Sequence, residues 1–209
     1  MRPTTPGAYE RYVFINCPFD AEYLPMFRIL VFVIQACGYE VRCALESQDA
    51  GEVRMSKILR LIKECQFGIH DISRTALDPE NGLPRFNMPL ELGLFLGAAY
   101  FGNPVQRQKH TLVLDSERFR YQKFISDIAG QDIKPHGNDP GRVVYAVRDW
   151  LNVFAKDTLL PGGKTLLRLY KRFTADVPQM IHKLNFHEAD ISFADWLWLV
   201  RDWLQKATR

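Results

Sequence analysis

The 209-residue chain has no apolar run long enough to cross a bilayer. A spanning helix needs roughly 20 consecutive apolar residues, and the longest run here, Ile29 to Ala36, is already broken by Gln35. The opening residues, MRPTTPGAYER, lack the apolar core of a signal peptide. Cysteine is scarce as well. Cys17, Cys37, Cys43 and Cys65 stand singly, with no CxxC pair and no histidine at metal-ligand spacing, which leaves no disulfide framework and no zinc signature. They are expected to be reduced, mostly buried thiols of a cytoplasmic protein. Charge of one sign is also missing: 27 Lys and Arg against 24 Asp and Glu leave +3, without a basic run of five. Neither nucleic acid nor a membrane is therefore the expected partner. Internal repeats and low-complexity stretches are absent too.

What remains is the composition of a folding globular chain, 47% hydrophobic and 24% charged, with 14 Phe, 8 Tyr and 4 Trp. Its length suits one domain, or one domain with an extension. Over the first 154 residues short apolar runs alternate with amphipathic stretches, the pattern of an α/β sheet. Strands are expected at 12–16, 39–44, 67–72, 111–115 and, as a short edge, 132–134. Helices are expected at 24–37, 55–64, from Asn87 through Tyr100, 121–129 and 142–154. Asn87 would cap the third of these, with Pro89 in its first turn. The polar stretch 73–85, with Asp78-Pro79-Glu80-Asn81-Gly82 inside it, reads as a loop. The expected domain is thus a parallel sheet of about five strands with helices on both faces, over residues 1–160. Pro161-Gly162-Gly163 punctuates the chain, and an α-helical extension, 161–209, should follow with helices at 164–173, 177–184 and 193–206. The last of these carries Phe193, Trp196, Leu197, Leu199, Val200, Trp203 and Leu204 on an apolar face too broad for a solvated helix. That face must be covered, either by the rest of the chain or by another subunit.

In an open parallel sheet, ligands bind beyond the carboxyl ends of the strands. This selects Asn16, Cys17, Pro18 and Phe19 after the first strand, Leu45 and Glu46 after the second, Asp71, Ser73 and Arg74 after the third, and Asp115 and Ser116 after the fourth. Glu91 is singled out because it falls in the expected first turn of a very apolar helix, between Leu90 and Leu92, at the same edge. It could merely complement the positive helix end, but a carboxylate in such surroundings is costly unless it works. Gly93 and Gly97, four apart, suggest that this helix packs closely against something. Asp71 is either a second functional carboxylate or a loop cap. His70 should face the other way, as a core histidine. Phe19 and Phe86 could stack on a flat base, although core packing is the default for both.

The segment Arg85-Phe86-Asn87-Met88-Pro89-Leu90-Glu91-Leu92-Gly93-Leu94-Phe95-Leu96-Gly97 resembles the R-x-N-V-x-F-E-L-G-x-F-x-G signature of bacterial TIR-like nucleotide-binding domains. Its Glu-Leu-Gly core also resembles nucleoside 2-deoxyribosyltransferases. The resemblance spans roughly residues 10 to 155 and implies a flavodoxin-like fold. It implies cleavage of an N-glycosidic bond in NAD or a related nucleotide, with a role in antiphage defence, or else nucleoside glycosylase or deoxyribosyltransferase activity. A non-catalytic nucleotide-binding or assembly module is the other reading. Under the enzymatic readings Glu91 would stabilise or trap the oxocarbenium-like ribose carbon, and Asp71 would hold ribose hydroxyls or protonate the leaving base. Asn16, Phe19, Ser73, Arg85 and Asn87 would line the substrate site, with Asn87 orienting Glu91. No metal or resident cofactor is implied, NAD entering as substrate, and a homo-oligomer is the expected assembly.

Overall fold

A computed structural model describes residues 7–47, 49, 51–75, 82–155 and 158–207. They form two compact units, Met1–Tyr23 with Glu40–Asp139, and Leu24–Tyr39 with Pro140–Arg209. The residues 76–81 of the expected loop lie outside the described set.

The first unit is built on five strands, β1 (Tyr12–Asn16), β2 (Glu40–Cys43), β3 (Phe67–Asp71), β4 (His110–Asp115) and β5 (Lys134–Pro135), in the order β2-β1-β3-β4-β5. Every pairing is parallel, which makes the chain α/β with the flavodoxin-like strand order. Central β3 is buried at every residue, as a strand covered on both faces must be, and this explains its unbroken apolar character. The edge strand lies two residues beyond its expected start and pairs only through Leu114 and Asp115; Pro135 has no N–H to donate, so it is tolerated only at such an edge. The expected helix 121–129 resolves into two short 3-10 turns, Arg120–Lys123 and Ser126–Ile128. Ile125 between them adopts an extended φ of −148°, as β-branched residues favour, and this interrupts any helix.

Helices α2 (Arg54–Glu64) and α3 (Asn87–Phe101) pack on the sheet. Phe14, Ile58, Leu61, Ile62, Cys65 and Phe95 form one core cluster, and Ile72, Met88, Leu92, Val113, Tyr121 and Ile128 a second. The buried Lys109 amine donates to the Ile62 and Cys65 carbonyls at the end of α2, satisfying acceptors that the helix leaves open. Burial lowers that amine to a pKa of about 8.

The second unit holds α1 (Leu24–Ala36), α4 (Pro140–Asn152), α5 (Gly163–Lys183) and α6 (Phe193–Ala207). Helix α1 is buried continuously from Ile29 to Ile34 and contacts α4, α5 and α6. Two helices expected at 164–173 and 177–184 are one, α5, running through Pro178. The hydrogen bond that proline removes costs about 3 kcal/mol, offset by Phe173 and Ile181, which are buried on either side of it. Phe32, Phe173, Trp196 and Trp203 form an aromatic centre with ring centroids 5.2 to 6.1 Å apart. The broad apolar face of α6 is therefore covered by α1 and α5 of the same chain, and its burial does not call for a second subunit. All four cysteines are free and buried. No described helix is long and apolar enough to cross a membrane.

At Gly68 the sheet and α3 approach so closely that an added Cβ would meet the Phe95 ring and His70 Nε2 at 2.7 Å. Gly68→Ala is expected to destabilise by about 1–3 kcal/mol through overpacking, read as a lower Tm in a thermal melt; an unchanged Tm would mean that the Phe95 ring can withdraw.

Candidate active site

Four buried polar residues end the strands or follow them. Asn16, Asp71 and Asp115 are the last residues of β1, β3 and β4, and His136 is the first after β5. All are buried, with exposures of 3, 0, 0 and 1%. A sheet edge can hold such groups only if their hydrogen bonds are made, and most of them are.

Asp71 gathers polar groups from three loops. The Tyr23 hydroxyl donates to Oδ2, and the Ser73 backbone N–H donates to Oδ1 at 2.8 Å. Tyr23 is itself held by its N–H bond to Asp20 Oδ1, 2.9 Å. The Asn138 amide donates to His136 Nδ1 at 3.0 Å, which leaves the ring proton on Nε2. Nε2 lies 3.1 Å from Asp71 Oδ2, off the line of a good hydrogen bond. Burial alone would raise the Asp71 carboxyl, but His136, Ser73 and Tyr23 outweigh it and hold the group below its ordinary value. Burial and the adjacent carboxylate push the Tyr23 hydroxyl well up. Asp71, shielded and engaged at both oxygens, is thus a positioning residue, and Ser73 joins it through its backbone.

Asn16 performs a second clamp. Its Nδ2 donates to Met88 O at 2.8 Å and to His70 Nδ1 at 3.0 Å, tying β1 to β3 and to the first turn of α3. His70 packs edge-on between the rings of Phe14 and Phe95, and burial, then Lys109, lower it to a pKa of about 3. It is the core histidine expected, acting on α3 through Asn16. Asn16 therefore anchors the first turn of α3.

Helix α3 begins at Asn87 itself. The capping position is Phe86, without a side-chain bond, and the first turn contains no acid. Glu91 starts the second turn, one turn beyond the Met88 carbonyl that Asn16 grips, so helix-end complementarity does not account for it. Its side chain is buried to 8% exposure and makes no hydrogen bond to a described residue. Burial raises its pKa from 4.5 to about 7, with Arg54 pulling the other way. The thiol of Cys17, just after β1, is raised by burial and then by the charges of Asp71, Cys43 and Glu91.

The remaining residues divide. Phe19 and Phe86 are 36 and 65% exposed, which corrects the default of core packing for either. Arg85 pairs with Asp20 at 2.9 Å, and Arg74 pairs with Glu22 and with Asp20, so both arginines brace the first loop. Asn87 is exposed and has no described bond to Glu91. The spacing of Gly93 and Gly97 does not mark close packing within the chain, since an added Cβ at either meets no atom within 4 Å. Asp115 accepts from Arg120 Nε at 2.8 Å, while Arg120 also reaches Thr75 Oγ1 and Ile72 O, joining the ends of β3 and β4. Sequence reading missed Tyr23, His136 and Arg120. With the edge strand at 134–135 instead of 132–134, the carboxyl-end rule would have selected His136.

The arrangement is a rigid edge, cross-tied by Asn16, Asp71 and Asp115, with one nearly buried carboxylate that the ties leave uncommitted. Comparison with known proteins adds no relative: no family model, no curated protein and no solved structure matches this chain.

Because the folded-state pKa of Glu91, about 7, lies above its ordinary 4.5, its share of stability is fully present below about pH 4.5 and is lost as pH rises through 7. Glu91→Gln, which cannot ionise, is expected to stabilise the protein by roughly 1–3 kcal/mol near pH 8 and hardly at all near pH 4. Thermal melts at the two pH values check this; an equal effect at both would show a solvated carboxylate. Asp71→Asn is expected to destabilise by about 3–5 kcal/mol, since removing one member of a buried charged cluster strands its partners. A melt within 1 °C of wild type would dissolve the hub.

Proposed function

We propose that this chain cleaves an N-glycosidic bond in NAD or a related nucleotide, with Glu91 acting at the ribose carbon. The observation that carries the reading is a carboxylate held at 8% exposure, with no hydrogen bond to a described residue, at the carboxyl edge of a parallel sheet where ligands of such sheets bind. The resemblance of residues 85–97 to TIR-like and deoxyribosyltransferase-like domains supports the choice of bond and substrate.

As the base leaves, positive charge develops on the ribose carbon. A carboxylate in a poorly solvated site stabilises that charge more than one in water would, because little solvent competes. Ionised Glu91 then either shields the oxocarbenium-like centre or bonds to it, after which water or another acceptor takes the sugar. Asp71 works at a distance, holding the loops after β1, β3 and β5 around the site.

The test is to incubate the protein with NAD, deoxynucleosides and nucleoside monophosphates and to measure free base by chromatography. Glu91→Gln is expected to lower turnover by ~10²-fold or more while the protein stays folded. The wild-type rate should rise with pH through about 7, since the ionised form is the active one. A folded Glu91→Gln protein with the wild-type rate would overturn the reading.

A further inference from the structure

Helix α3 has a second face that the site does not use. Among its 15 residues the only charged one is Glu91, so the helix is apolar nearly all round, a pattern found when a helix is covered on every side. Yet only Met88, Glu91, Leu92 and Phe95 are buried. Phe86, Leu90, Gly93, Gly97 and Tyr100, spaced four, three, four and three apart, line one stripe opposite that buried face, and Phe101 extends it. Phe86, Leu90, Tyr100 and Phe101 are 65, 50, 72 and 89% exposed.

We infer that this stripe is the interface of a homodimer in which α3 packs against α3 of a second copy across a two-fold axis. Three observations select a second copy as the occupant. The first is shape. The centre of the stripe is made by Gly93 and Gly97, where an added Cβ meets nothing within 4 Å. This is a shallow, backbone-lined floor between larger side chains, and it is matched best by a surface that is also bare at its centre. The chain's own α3 is such a surface, and small residues four apart let two helices approach closely. The second is charge. No ionised side chain lies on the stripe, so a two-fold axis sets like residues opposite each other without repulsion, as an isologous contact requires. The third is area. With large side chains presenting about 150–250 Å² each, these exposures amount to roughly 600 Å² per copy. That is most of the ~800 Å² per partner in a standard interface, and it lies at the upper end of what a monomer leaves open.

The dimer is independent of the enzymatic reading, although it would brace the helix that carries Glu91. Sedimentation equilibrium on the full chain from about 1 to 100 µM should give the mass of a dimer, and by mass action Tm should rise with protein concentration over that range. Gly97→Lys should give a monomer whose Tm no longer depends on concentration. Lysine is a better helix former than glycine and has open space at this position in the single chain, so lost mass would not reflect lost folding. Should that variant misfold, Leu90→Ser on the same stripe is expected to weaken the dimer at least tenfold. A wild type that is monomeric at 100 µM overturns the inference, whether or not it floats with phosphatidylcholine vesicles, and so does a Gly97→Lys protein that keeps the dimer mass.

Discussion

Asp71 ends the central strand with no access to water, and a carboxylate there is tolerable only because two hydrogen-bond donors and an imidazole, from three separate loops, converge on it. Tyr23 comes from the segment after β1, Ser73 from the segment after β3 and His136 from the segment after β5. A buried, unpaired carboxylate would be penalised by several kcal/mol. Each loop is therefore held where its polar group must be, and the carboxyl edge of the sheet is rigid as a consequence of one desolvated charge. Asp115 repeats the device with Arg120, whose guanidinium also bonds to Thr75 and Ile72.

Glu91 shows what the same chemistry does when the compensation is withheld. Both carboxylates are buried. Asp71, with partners, sits below its ordinary pKa, whereas for Glu91 burial outweighs the pull of Arg54 and the pKa rises to about 7. Environments that push two titratable groups apart separate a structural role from a chemical one. The ion that is already stabilised has little reason to change on ligand binding. The one that is not gains most when a positive centre arrives.

Much of this was legible in the sequence, and the losses have physical causes. The order of strands and helices in the sheet could be read because parallel strands covered on both faces leave continuous apolar runs, as in Val13 to Ile15 and Phe67 to Ile69. Asn16, Asp71 and Glu91 could be picked out because strand ends and apolar helices make polar residues conspicuous. What each of them touches could not be read. Asp71 and Tyr23 lie 48 residues apart, and Asn16 and Met88 lie 72 apart, and no local pattern encodes pairings of that range. His136 was hidden by a two-residue edge strand too short to show a period. Pro178 misled for a different reason: a proline stops a helix on local grounds, but the buried Phe173 and Ile181 on either side of it belong to one packed face, and tertiary burial outweighed the missing hydrogen bond.

A buried carboxylate with no hydrogen bond to a described residue should escape to solvent if its helix can rotate, so something must resist that rotation. Two features do. Met88, Leu92 and Phe95 are buried on one face of α3, and turning the helix by one residue, about 100°, would carry that face out of the core. At ~25 cal/mol per Å² of apolar surface, exposing those side chains would cost more than solvating one carboxyl would return. Asn16, by donating to the Met88 carbonyl, also fixes the helix along its axis at the turn before Glu91. The amide that grips α3 is itself kept in place by His70, a ring that the aromatic core keeps neutral. The perturbed state of Glu91 is thus sustained by the hydrophobic packing of its own helix and by a neutral hydrogen-bond chain. Neither depends on pH near neutrality, and the carboxyl of Glu91 is left free to change charge without the fold around it having to move.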